Sequence, residues 1–366
     1  MRILFLTAFV PHDGAAAEKN TKLMLEDLSQ ENIVDLVYFR YKEDIHYLPP
    51  NNNVNILYSF QISTVRKLFN VLSFPFIHPI FSVRFNWFIL MKLKRLFRRT
   101  KYDVIICDHS QMFLYGKFLS SKIRKIYLSH DVIIQRVQRT SSLVMQKLCF
   151  LSEKFCLQQK NTFVFSFCQK DCDLIIKNYG INALLCLDYI DPLVIKSQPN
   201  SIENYYVFLG KWSRADNLDG VKWFINEVTP LITKKTNIKI IGKNFPVKIL
   251  DIENSNVSFE VLGFVDNPYS IIANAKAMLA PLFTGAGIKV KVIESLACGT
   301  PVIGTDIAFE GIDSTCSDLM LFANSSFDFA AQMNNSSISL EKRIELKHKF
   351  ISSYTSITIP NFLKQI

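Results

Sequence analysis

The chain is predicted to be an α/β protein built on doubly wound parallel sheets, and three observations predict it. Short apolar runs alternate with helix-periodic segments along the whole length. The 366 residues suffice for two domains of ordinary size. A non-periodic stretch with two prolines, residues 192–204, reads as a linker between them.

In the first half, strands are expected at 2–7, 33–41, 54–59, 103–108, 124–129, 162–167 and 184–190, with helices at 18–29, 111–121 and 169–179. In the second half, strands are expected at 205–209, 238–241, 257–262 and 319–322, and helices at 216–235, 268–275, 326–334 and 340–353. The most telling stretch is 277–312. It reads as an apolar run, a loop with Gly285 and Gly287, a helix from Ile288 to Cys298, Gly299 at its end, and a second apolar run from Pro301 to Thr305.

That helix is apolar nearly all round, and its charges, Lys289, Lys291 and Glu294, crowd toward its start. Lysines in a first helical turn oppose the macrodipole by about 0.3 to 1 kcal/mol each. An anion placed there would reverse the sign. A glycine loop, a helix N-terminus and two lysines together describe a phosphate or diphosphate site, with Glu294 one turn on to accept from sugar hydroxyls. The plainer reading, a solvated Lys291–Glu294 pair worth about 0.2 to 0.5 kcal/mol and glycines that only turn the chain, stays open at this point.

Composition excludes several classes. Hydrophobic residues make up 49% and charged ones 20%, a globular balance. Eight cysteines show no CxxC and no zinc spacing, so no metal site is expected. The loop after the first strand lacks GxGxxG, which disfavours a dinucleotide cofactor. The N-terminal apolar run is too short for a signal peptide, and no charge-free run reaches the roughly 18 residues that span a bilayer. A cytoplasmic protein is expected.

The net charge of +10 is uneven: residues 1–195 hold 25 basic and 16 acidic residues, residues 196–366 hold 17 and 16. From Ile45 to Tyr102 there is no acid, and Arg66, Lys67, Arg84, Lys92, Lys94, Arg95, Arg98, Arg99 and Lys101 alternate with Phe69, Phe74, Phe76, Phe81, Phe85, Trp87, Phe88 and Phe97. Such a segment suits an anionic membrane surface, at about 1 kcal/mol for each cation near it. A buried helix pair with a solvated basic edge is the competing reading, and without a recognised nucleic-acid module no nucleic-acid partner is expected.

The stretch GAGIKVKVIESLACGTPVIGTDIAFEGI resembles the donor-binding signature of glycosyltransferase family 4, the group 1 glycosyltransferases. The resemblance extends through LGKWSRADNLDGVKWFINEVTPLI and LGFVDNPYSIIANAKAMLAPL. It implies the GT-B fold: two Rossmann-like, doubly wound domains facing a cleft, here 1–195 for the acceptor and 196–345 for the donor. A C-terminal segment, 346–366, would return to the first domain. The implied activity is retaining transfer of a sugar from a UDP- or GDP-sugar to a glycan or lipid-linked acceptor, with no cofactor and no metal. Polysaccharide or lipopolysaccharide synthesis at the inner face of the cell membrane is the implied setting. By resemblance His130, Lys291 and Glu294 are catalytic, while Gly14, Lys211, Gly285, Ala286, Gly287, Ile288 and Lys289 bind substrate. Unaided, an isolated His130-Asp131 is more often a helix cap or surface pair, and Gly14 reads equally as a turn glycine.

Two departures from the family stand out. Its first glutamate would fall at Ala286, and the Asn-Gly turn before the second domain is replaced by residues 188–191, DYID. Alternatives are a non-catalytic partner of the same fold, which binds nucleotide without turnover, and a nucleotide-sugar epimerase, which turns over without acceptor.

Overall fold

The computed structural model describes residues 1–14, 16–250, 256–285, 287–312, 314–335, 338–355 and 357–366. The chain folds into two compact units, residues 1–189 with 357–366, and residues 190–356.

Unit 1 is a seven-stranded parallel sheet: β1 (Arg2–Thr7), β2 (Ile33–Arg40), β3 (Val54–Gln61), β4 (Val104–Asp108), β5 (Arg124–Ser129), β6 (Thr162–Ser166) and β7 (Ala183–Leu185). The spatial order is β3-β2-β1-β4-β5-β6-β7. β1, β4 and β5 are almost wholly buried, as a parallel sheet covered on both faces requires. The strand order reverses between β1 and β4, and in such sheets ligands bind beyond the carboxyl ends of the strands at that switch point.

Unit 2 is a six-stranded parallel sheet: β8 (Tyr205–Leu209), β9 (Thr236–Ile241), β10 (Val257–Gly263), β11 (Met278–Ala280), β12 (Val302–Gly304) and β13 (Met320–Phe322). The order β10-β9-β8-β11-β12-β13 puts the switch point between β8 and β11. The helix Leu340–Tyr354 belongs to this unit. Its buried Arg343 donates to the carbonyls of Ala275 (2.7 Å) and Lys276 (2.6 Å), tying the helix to the lead-in of β11.

Several elements differ from expectation. The single helix expected over 216–235 is instead Ala215–Trp223, a widened π turn Phe224–Val228 and a 3-10 turn Thr229–Leu231. Pro230 has no N–H to continue the ladder and disfavours helical backbone before it. The segment 192–204 is not all linker: Asp191 caps a short helix, Pro192–Lys196, accepting from the Leu193 amide at 2.7 Å. The helix expected over 111–121 is a 3-10 turn, Ser110–Met112, and a helix ending at Phe118.

The basic aromatic stretch divides into the helices Thr64–Leu72, Pro79–Ser82 and Trp87–Arg99. Phe81, Phe85 and Arg84 are buried, so part of the pattern is core. Leu68, Phe69, Leu72 and Phe76 are between 61% and 86% exposed, more than folding alone explains. Among the described residues no helix is long and apolar enough to cross a membrane.

Candidate active site

The loop after β11 and the helix Val290–Ala297 carry most of the expected donor residues. Gly285 has φ 116° and Gly287 φ 72°, backbone that a Cβ would strain by roughly 1 to 2 kcal/mol. Ala286 lies outside the described residues. Lys289 is the N-cap residue, and the first helical bonds run from the Val292 and Ile293 amides to its carbonyl (2.7 and 3.2 Å). Amides before Val292 therefore precede the helical ladder, the arrangement by which a helix N-terminus receives an anion.

Lys291 and Glu294 have separate partners. Lys291 Nζ donates to Asn217 Oδ1 at 2.8 Å, and Tyr269 Oη donates to Glu294 Oε1 at 2.8 Å. Asn217 Nδ2 donates to the Lys211 carbonyl at 3.1 Å, so one amide ties the end of β8 to Lys291. The Lys211 side chain itself is exposed. Lys289 Nζ donates to the Gly287 carbonyl (2.6 Å) and lies 4.0 Å from Glu310. Ile288 is half-buried beside it. Arg214 holds Asp216 through two hydrogen bonds (3.0 and 2.7 Å). Burial pushes the Lys291 ammonium down to about 8; Asp216 opposes this, while Arg214 and Lys289 add to it. A cation weakened this way gains most when an anion arrives.

Unit 1 builds a second cluster at its own switch point. Thr7 and Asp108, the last residues of β1 and β4, are register partners. Asp108 is buried, and its Oδ2 accepts from Thr7 and Thr21 hydroxyls, both at 2.8 Å. Its Oδ1 lies 2.7 Å from His130 Nε2. The His130 ring is covered by His109 (centroids 4.0 Å, 18° apart) on one side and Phe167 (4.5 Å) on another. His109, buried with φ 70°, is pushed down to about 3 by its burial, against the pull of Asp108.

Burial by itself would raise the Asp108 carboxyl. The neighbouring histidines and the hydrogen bonds from His130 and Thr21 hold it below the usual carboxylate range. Donor atoms of Asp108, His109 and His130 lie within 4.8 Å of one another. The two imidazoles are stacked, however, so an ion in the plane of one ring would sit well out of the plane of the other. The arrangement is a hydrogen-bonded carboxylate–imidazole pair.

Behind His130, Glu153 of the helix Leu143–Leu157 accepts from the Ile133 and Ile134 amides (2.9 and 3.0 Å) and from Tyr179 Oη (2.6 Å). These are the first amides of the helix that follows His130-Asp131. Gly14 stands in the loop after β1, where an added Cβ would meet His12 at 2.5 Å and Glu18 at 2.7 Å.

Asp108, Thr7, Thr21, Asn217, Tyr269 and Glu153 were not foreseen from the sequence. Only Asp108 left a local signal, an acid followed by a histidine at the carboxyl end of a predicted strand.

Residues 203–336 match the family model described as "Glycosyl transferases group 1". An uncharacterized 44.6 kDa protein in the cps region of Klebsiella pneumoniae is 22% identical over 304 residues, 77% of this chain and 75% of the relative. Among solved structures, Anabaena Alr3699/HepE in complex with UDP superposes with TM-score 0.67 at 14% identity, covering 100% of this chain and 98% of the other. WaaG, a glycosyltransferase involved in lipopolysaccharide biosynthesis, gives TM-score 0.63 at 12% identity over 97% and 95%. Residues 203–336 therefore carry the sequence pattern of the group 1 glycosyl transferases, and the chain as a whole has the GT-B fold of these structures.

Proposed function

We propose that the chain is a group 1 glycosyltransferase that moves a sugar from a UDP- or GDP-sugar to a glycan or lipid-linked acceptor in cell-surface polysaccharide or lipopolysaccharide assembly. The observation that carries the reading is the Gly285/Gly287 loop leading into a helix N-terminus with Lys289 and Lys291 beside it and Glu294 one turn on. The donor diphosphate would lie on those amides and lysines. As the bond from the anomeric carbon to the phosphate oxygen breaks, its electron pair goes to the phosphate, and Lys291 meets the growing charge. The acceptor hydroxyl forms the new C–O bond, and its proton passes to the leaving phosphate.

Removing one preorganised donor of this kind costs about 2.7 to 4 kcal/mol of barrier. Glu294, held by Tyr269, accepts from sugar hydroxyls, and we assign His130 of unit 1 to the same reaction. Retention of configuration and independence of metal follow from the family resemblance. The UDP complex of HepE, the lipopolysaccharide role of WaaG and the cps-region relative support the substrate class.

The acceptor side of the proposal includes a membrane. Leu68, Phe69, Leu72 and Phe76 stand exposed beside Arg66 and Lys67 in a stretch without acids, a surface suited to an anionic bilayer and an acceptor on a lipid carrier.

A thermal-shift panel of UDP-, GDP-, CMP- and dTDP-sugars tests the donor site. Ligand at a hundred times its Kd adds about 2.7 kcal/mol of stability. A rise in Tm with one nucleotide class, lost in Glu294→Ala, is expected. No shift with any of them would overturn the reading.

A further inference from the structure

His130 has two ring nitrogens, and the structure commits one of them. Nε2 lies 2.7 Å from Asp108 Oδ1. Asp108 also receives two hydroxyl hydrogen bonds, from Thr7 and Thr21, which favour its ionised form. An ionised carboxylate only accepts, so Nε2 must carry a proton whether the ring is neutral or charged. The stacked His109 ring and the Phe167 ring limit rotation. The pair is assembled from three strand ends: Thr7 from β1, Asp108 from β4, and His130 just past β5.

We propose that Asp108 is the positioning residue of the active site: it holds the Nε2–H of His130 and leaves Nδ1 as the nitrogen presented to the sugar or acceptor. The proposal rests on the assignment of His130 to glycosyl transfer. A neutral ring then accepts a hydrogen bond at Nδ1, and a charged ring donates one there. Asp108 therefore sets both the direction of that hydrogen bond and the pH at which it reverses.

The titratable groups around the ring are Asp108 on β4, Asp131 on its own loop, Asp188 past β7, and His109, whose burial keeps it neutral. Burial disfavours the His130 cation. The Asp108 charge and hydrogen bond, with Asp188 and Asp131 behind them, outweigh this and raise its pKa.

The test uses full-length protein with ¹⁵N-labelled histidine, the six rings being assigned by single substitutions. Two-bond ¹⁵N–¹H spectra across pH 5 to 9 report the tautomer and midpoint of each ring without any assay of activity. His130 is expected as the Nε2–H tautomer with a midpoint above the ordinary 6.5. In Asp108→Asn the midpoint should fall by roughly one to three pH units. The matching limb of the kcat/KM profile should fall with it, which mere loss of packing would not produce.

A neutral Nδ1–H tautomer in the wild type would overturn the proposal even if the Asn variant failed to fold, and so would an unmoved midpoint in Asp108→Asn. If the spectra came out as expected but His130→Gln kept full turnover, the pair would stand and the assignment of His130 to the reaction would fall.

Discussion

Lys291 offers a test of the donor site that needs no acceptor. Burial pushes its ammonium down to about 8 from an ordinary 10.5. In the free protein the side chain thus loses its charge as pH rises through 8. A diphosphate beside it favours the charged form and returns the pKa toward 10.5 or above. Between these values the complex holds one more proton than the free protein, so affinity must fall as pH rises. The slope is tenfold, about 1.36 kcal/mol, for each pH unit.

The assay is calorimetric titration with UDP, or the nucleoside diphosphate selected by thermal shift, at pH 7, 8 and 9. Kd is expected to rise about fivefold from pH 8 to pH 9, approaching the tenfold limit only above the free pKa. Lys291→Met keeps an unbranched side chain up to the ε position and removes the titrating group. It should weaken binding at pH 7 by about 1.5 to 3 kcal/mol, the worth of a charged hydrogen bond. It should also abolish the extra slope, leaving only what the nucleotide base contributes through its own titration. Equal slopes in wild type and Lys291→Met would rule this linkage out, because the proton taken up on binding would then not be the one on Lys291.

Glu153 and the exposed apolar face carry the other expectations. Burial pushes the Glu153 carboxyl up to about 7 from 4.5, against the hydrogen bonds from Tyr179, Ile133 and Ile134. The folded state therefore binds more protons across that window, and stability falls as pH rises from about 4.5 through 7. Glu153→Gln should remove up to roughly 3 kcal/mol of that fall; urea unfolding at pH 5 and pH 8 checks it, and an unchanged gap between variant and wild type at the two values would count against it. Leu68→Glu with Phe69→Glu should leave the melting temperature nearly unchanged, because both side chains are exposed. The same pair should strongly reduce co-flotation with vesicles containing anionic lipid, and undiminished flotation would remove this face from the membrane surface.

Much of the architecture was legible because the signals are local. Alternating apolar runs and helical periods place strands and helices wherever a side chain's own neighbours decide its face. The glycine loop and the lysines of residues 285–291 stand out for the same reason: glycine and first-turn charge are properties of a few adjacent residues. Over 216–235 the expected helix was too long, because Pro230 ended a helix whose apolar pattern continued. Phe81 and Phe85 were counted with surface aromatics, although both are core. Composition cannot tell an aromatic that faces a membrane from one that faces its own sheet.

Local sequence was enough to give the strand–helix alternation, the Gly285/Gly287 loop, and His130 at the end of a strand. Tertiary structure alone decided what those residues touch. Thr7 and Asp108 meet across 101 positions because β1 pairs with β4, and Asn217 reaches Lys291 across 74. Glu153 becomes a clasp only because its helix packs beneath the one that follows His130. Strand order follows from which apolar faces can be buried together, a property of the whole chain, and the hydrogen-bond partners at a switch point are set by that order.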